Sequence, residues 1–142
     1  MNSENSSNQW EKIPIDVNLI QNTLNLANRD LATAKNLFKD KQYDWCFAIN
    51  YNAMLQAGRA LMFSKGYRPK GEFKHVAVIE FVKKMFGNEF AEQLMHQFNK
   101  IRKKRHIIVY EQINLVTKEE AEHAFTTAEE FLNKIKTILN KK

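Results

Sequence analysis

Between Lys100 and Arg105 the chain places five cations in six positions, and the segment runs on through His106 to Tyr110. These residue types suit phosphate chemistry. A guanidinium grips a phosphate through two parallel N–H donors. A histidine can move a proton near neutral pH. Arg102, His106 and Tyr110 follow one another at intervals of four, so on a helix they stack along one strip. Arg105 falls elsewhere, in an apolar seam with Leu94, Phe98, Ile101 and Ile108. A guanidinium buried bare in such a seam is strongly disfavoured, so Arg105 must be paired or must face an open cleft. Arg59, with Asn52 and Gln56 nearby, is a further candidate for the same cleft. Plainer readings stand beside these. Lys103 and Lys104 could be a solvated face and His106 an ordinary exposed histidine. Arg105 could be a structural ion pair with Glu80 or Glu111, and Arg59 part of a polar network between helices.

Other chemistries find little support. His75, His96, His106 and His123 lack a metal-ligand spacing, and no acidic cluster joins them. There is no glycine-rich phosphate loop and no serine in a nucleophile elbow. The single cysteine, Cys46, lies between Trp45 and Phe47 and reads as a reduced, buried filler. No cofactor is implied. The formal net charge of +6 leans towards a polyanionic partner. With no signal peptide and no apolar run long enough for a bilayer, the expectation is a cytoplasmic protein without membrane contact.

The elements that must hold the basic segment follow from periodicity. Residues 1–15 read as a polar, disordered arm, with Trp10 a possible pin to the surface. Residues 16–142 read as a single helical domain. Ile20, Leu24, Ala27, Leu31, Ala34 and Phe38 alternate at spacings of four and three, which predicts a first helix from about Val17 to Phe38. A second helix, about Tyr43 to Lys65, is apolar on several faces and therefore central, and Gly66 stops it. Gly66 to Lys74 reads as a loop. A short helix follows over about His75 to Phe86, then a long one over about Glu89 to Ile113. Thr117 and Glu120 form a capping box that starts the last helix. Long helices with short connections pack as antiparallel neighbours. The fold class expected is all-α: an up-and-down bundle of four long helices and one short one.

Three stretches carry a family resemblance. The second helix reads Tyr51-Asn-Ala-Met-Leu-Gln-Ala-Gly-Arg-Ala-Leu-Met, the linker Gly66-Tyr67-Arg68-Pro69 leads to His75, and the basic segment reads Arg102-Lys-Lys-Arg105-His106-Ile-Ile-Val-Tyr110. In this order they resemble the HEPN domains of bacteria and archaea, over about residues 17–140. The resemblance implies a symmetric dimer with two basic motifs facing one cleft. Many such domains are metal-independent ribonucleases, in which an arginine holds the scissile phosphate and a histidine moves a proton at the 2′-hydroxyl or the leaving oxygen. The products carry a cyclic phosphate.

The chain departs from the usual motif at the proton-transfer position. Aligned on Arg105, the polar position is His106 and the histidine position holds Tyr110. Aligned on Arg102, His106 follows after three intervening residues, one short of the usual minimum. A tyrosine, with an ordinary pKa of about 10, is a poor base at neutral pH. The form Arg-x-x-Arg-polar-x-x-x-Tyr also resembles a branch of the family in its own right. The expectation is therefore a toxin–antitoxin or defence protein that binds RNA or nucleotide phosphate through Arg102, Lys103, Lys104, Arg105 and Arg59, with a degenerate nuclease motif. One alternative is an active ribonuclease using Arg102, Arg105, His106 and Tyr110. Another is a helical interaction module that pairs with a nucleotidyltransferase-type antitoxin.

Overall fold

Asp16 starts the first helix, α1 (Val17–Lys39), by accepting hydrogen bonds from the backbone N–H groups of Asn18 at 2.9 Å and Leu19 at 3.3 Å. This satisfies donors that an uncapped helix leaves open. The computed structural model describes residues 9–110 and 116–141. After α1 come α2 (Tyr43–Ser64), α3 (Lys74–Phe86), α4 (Glu92–Tyr110) and α5 (Lys118–Asn140). Four of these helices are long and α3 is short, so among the described residues the all-α bundle expectation holds. No described helix is long and apolar enough to cross a membrane.

The second helix is central, as its many-sided apolar pattern requires. Tyr51, Met54, Leu61 and Met62 are fully buried, and α2 packs against each of the other helices. Gly58 permits a close approach of α3. A Cβ there would meet Val78 Cγ1 of α3 at 2.6 Å. Aromatic rings tie α2, α4 and α5 together: Tyr51 lies 5.9 Å from Phe98, and Phe98 lies 4.9 Å from Phe131. Cys46 is buried, and its Sγ accepts a hydrogen bond from Asn50 at 3.4 Å. Burial outweighs that bond and pushes the thiol up to about 11, so it stays protonated and inert.

Two expectations are corrected. The polar arm is not loose from Trp10 onward, and the linker is not wholly a loop. Trp10–Lys12 (β1) pairs antiparallel with Tyr67–Pro69 (β2), placing Glu11 opposite Arg68. The Ile13 N–H donates to the Gly66 carbonyl at 2.8 Å, and Gly66 adopts φ +80°, a conformation that favours glycine. Trp10 is buried edge-on against Phe81 of α3, with ring centroids 5.2 Å apart. Three-residue strands carry too little alternation to be read from sequence, and this pairing joins segments far apart in the chain. Residues 1–8 lie outside the described residues.

The start of α4 also moves, from Glu89 to Glu92, because a turn intervenes. There the Glu89 N–H donates to the Phe86 carbonyl at 2.8 Å. The expected end of this helix at Ile113 falls outside the described residues. The capping box of α5 is present: Glu120 N–H donates to Thr117 Oγ1 at 3.1 Å, and Thr117 N–H donates to Glu120 Oε1 at 2.9 Å.

Candidate phosphate-binding site

Tyr51 is the floor on which the site is built. It is fully buried on α2, and two polar groups from other helices converge on it. The Arg105 guanidinium of α4 lies over its ring, with Cζ 5.6 Å from the centroid. The Tyr51 hydroxyl is 3.1 Å from Nδ1 of His75, near the start of α3. Burial raises the Tyr51 pKa well above its ordinary value despite the nearby charges of Arg102 and Arg105, so it remains a neutral phenol. The His75 pKa is lowered, first by burial and then by Arg105, Arg102 and Arg59. A neutral imidazole among guanidiniums is a proton acceptor held ready for an anion that would offset their charge.

Above this floor opens a cavity of about 400 Å³, lined by Phe73, Lys74, His75, Arg102, Arg105 and His106, with Glu72 as the one acidic wall residue among the described residues. Arg102 is steadied by donating from Nε to Asn99 Oδ1 at 3.0 Å. Arg105 has its Nε buried without a hydrogen-bond partner. Two acids, Glu80 and Glu111, stand as candidates for its ion-pair partner. Glu80 pairs with Lys83 at 3.9 Å, and Glu111 lies outside the described residues. Buried donors in native proteins nearly always find an acceptor. An anion in the cavity would supply one.

The basic segment is split by the turn of its helix. Arg102, Arg105 and His106 share the cavity. Lys103 and Lys104 line a separate groove between α4 and α5. There Lys104 is 2.5 Å from Glu120, linking the basic segment to the α5 cap. This contact, with the capping bonds, lowers the Glu120 pKa. Tyr110 is 68% exposed, and its ring lies tilted against that of His106 at a centroid separation of 4.8 Å. Arg59 lines an adjoining cavity and not this one.

Sequence reasoning passed over His75, Lys74 and Phe73 as site residues. The first of these was legible as the histidine after the Gly-Tyr-Arg-Pro linker, yet its partnership with Tyr51 spans two helices. Among the described residues, no group of three or more His, Cys, Asp or Glu side chains is arranged to hold a metal ion.

Residues 20–138 match the family model described as the HEPN domain. The chain is also 32% identical over 125 residues to a Methanocaldococcus jannaschii protein described as a candidate toxin, an alignment covering 84% of this chain and 88% of that one.

Proposed function

The chain belongs to the HEPN domain family, and on that footing we propose that it is a toxin-like protein of a toxin–antitoxin or defence system, binding RNA or nucleotide phosphate where Arg102 and Arg105 meet. One observation carries this reading: two arginines share a cavity wall, and one keeps a buried Nε–H without a partner. Arg105 is the phosphate anchor, Arg102 the second cation and Lys74 a rim charge. The test is fluorescence anisotropy with labelled RNA across a salt series. Affinity should fall steeply between about 50 and 200 mM salt, and Arg102→Gln with Arg105→Met should remove it. No binding at micromolar protein in low salt sinks the reading.

A second reading, an active ribonuclease, draws support from the two imidazoles, His75 and His106, that line the same cavity as the arginines. One would take the proton of a 2′-hydroxyl as its oxygen attacks the phosphorus. The 5′-oxygen would leave and take up a proton, with a cyclic phosphate on the other product. Cleavage in EDTA that disappears in His75→Gln or His106→Ala favours this reading. Binding without cleavage removes it.

A second copy of the chain is the proposed partner of the last turn of α4. Ile107, Val109 and Tyr110 are exposed there, which supports coverage by another molecule. A monomeric mass at high concentration would count against it. A nucleotidyltransferase-type antitoxin, suggested by the resemblance alone, is tested by co-purification that survives RNase treatment.

A further inference from the structure

His75 and Lys74 form a divide, not an end wall. On their other side lies a second cavity of about 740 Å³, bounded by α2, α3 and the β-ribbon. Its cations are Arg59, Arg68, Lys70 and the shared Lys74. Gly71, Lys74 and His75 line both cavities, so the two adjoin across the start of α3. The acid in this second space, Glu11, is already engaged by Arg68 at 2.6 Å.

The two cavities share an unusual feature. Three buried side-chain polar atoms of the described residues lack a hydrogen-bond partner, and two of them are arginine Nε atoms. One belongs to Arg105, in the first cavity. The other belongs to Arg59, in the second, whose guanidinium lies 5.9 Å from the Phe63 ring centroid. The two unpartnered groups line different cavities, so each has its own space for an acceptor. The rim of the first cavity adds Phe73, 70% exposed, an aromatic side chain open to solvent. Exposed aromatics beside a basic groove serve as stacking platforms for unpaired bases.

We propose that the second cavity is an additional phosphate subsite, built on Arg59 and Lys70, so that the ligand is a single RNA strand placing successive phosphates in the two cavities and a base on Phe73. This rests on the proposed phosphate binding at Arg102 and Arg105 and extends it. His75 sits between the two phosphates. A mononucleotide engages the first subsite alone, and a duplex, with its bases paired, gains nothing from Phe73.

The experiment uses the full chain and a fluorescein-labelled single-stranded RNA of roughly twelve nucleotides, its blunt duplex, and uridine monophosphate as competitor. The strand should bind more tightly than the duplex. Arg59→Met should weaken strand binding about tenfold, and Lys70→Gln should lower the salt slope by about 0.7. Neither should alter competition by the mononucleotide, which Arg105→Met should abolish. Lys70 is on a connecting segment, so its variant tests the subsite even if Arg59→Met folds poorly. Strand affinity within about twofold of the parent in both variants, with Arg105→Met still deleterious, overturns the second subsite and leaves the first intact. Equal binding of strand and duplex overturns the single-strand assignment. Failure of the parent chain to bind either RNA or mononucleotide overturns both readings.

Discussion

In Arg105→Met, stability and binding should move in opposite directions. The Arg105 Nε is buried without a partner between helices, on a seam with Ile101 and Ile108, both buried. Removing an unsatisfied buried donor relieves a penalty of about 1–3 kcal/mol. Against this stands the loss of the guanidinium over the Tyr51 ring at 5.6 Å, a contact worth about 0.5–2 kcal/mol. Methionine keeps the length and apolar stem of the side chain. The balance is a gain of about 1 kcal/mol, which for a chain of this size raises the melting temperature by about 2–4 °C. Binding should change the other way. Loss of a charge-assisted contact to phosphate costs about 1.5–3 kcal/mol, or roughly 10- to 150-fold in affinity. Thermal denaturation followed by circular dichroism reads the first quantity and anisotropy with labelled RNA the second. Arg105→Lys is the control: it keeps the charge, loses the planar fork, and should bind at an intermediate level. A variant that melts well below the parent yet binds RNA normally would refute the reasoning, because it would make Arg105 a structural residue.

Three further outcomes are expected. The His75 pKa is lowered from its ordinary value of 6.5, so the unfolded chain takes up this proton first; stability should therefore hold above that pH and decline as pH falls below it. Phosphate binding should strengthen over the same range, and His75→Gln should flatten both trends, as read by melting and anisotropy between pH 8 and 5. Gly58→Ala should destabilise the protein by about 1–3 kcal/mol, since the new Cβ would lie 2.6 Å from Val78 Cγ1; a double variant with Val78→Ala should recover part of the loss in urea denaturation. Thr117→Ala removes one bond of the capping box and should cost about 1 kcal/mol in the same assay.

Much of this molecule is legible in the chain alone. Helical periodicity, the Thr117–Glu120 box and the many-sided apolar pattern of α2 are local properties, so they placed the helices and their central member. Local spacing also singled out Arg105 as an arginine in an apolar seam. The family resemblance was legible for the same reason, since it rests on short stretches in a fixed order. Spacing could not say which cations share a wall. Lys103 and Lys104 are sequence neighbours of Arg102 and Arg105, yet the turn of α4 carries them into another groove. The β-ribbon was invisible because each strand is three residues long and its partner is remote.

The sequence by itself determined an all-helical bundle with a basic, histidine-bearing segment on its fourth helix. Only the tertiary structure decided what that segment faces. Packing of α3 against α2 at Gly58 brings His75 within 3.1 Å of the hydroxyl of Tyr51, whose ring lies under the guanidinium of Arg105. The physical reason is that burial, the lowered His75 pKa and the unpaired arginine N–H groups all arise from contacts between helices, which no local spacing encodes.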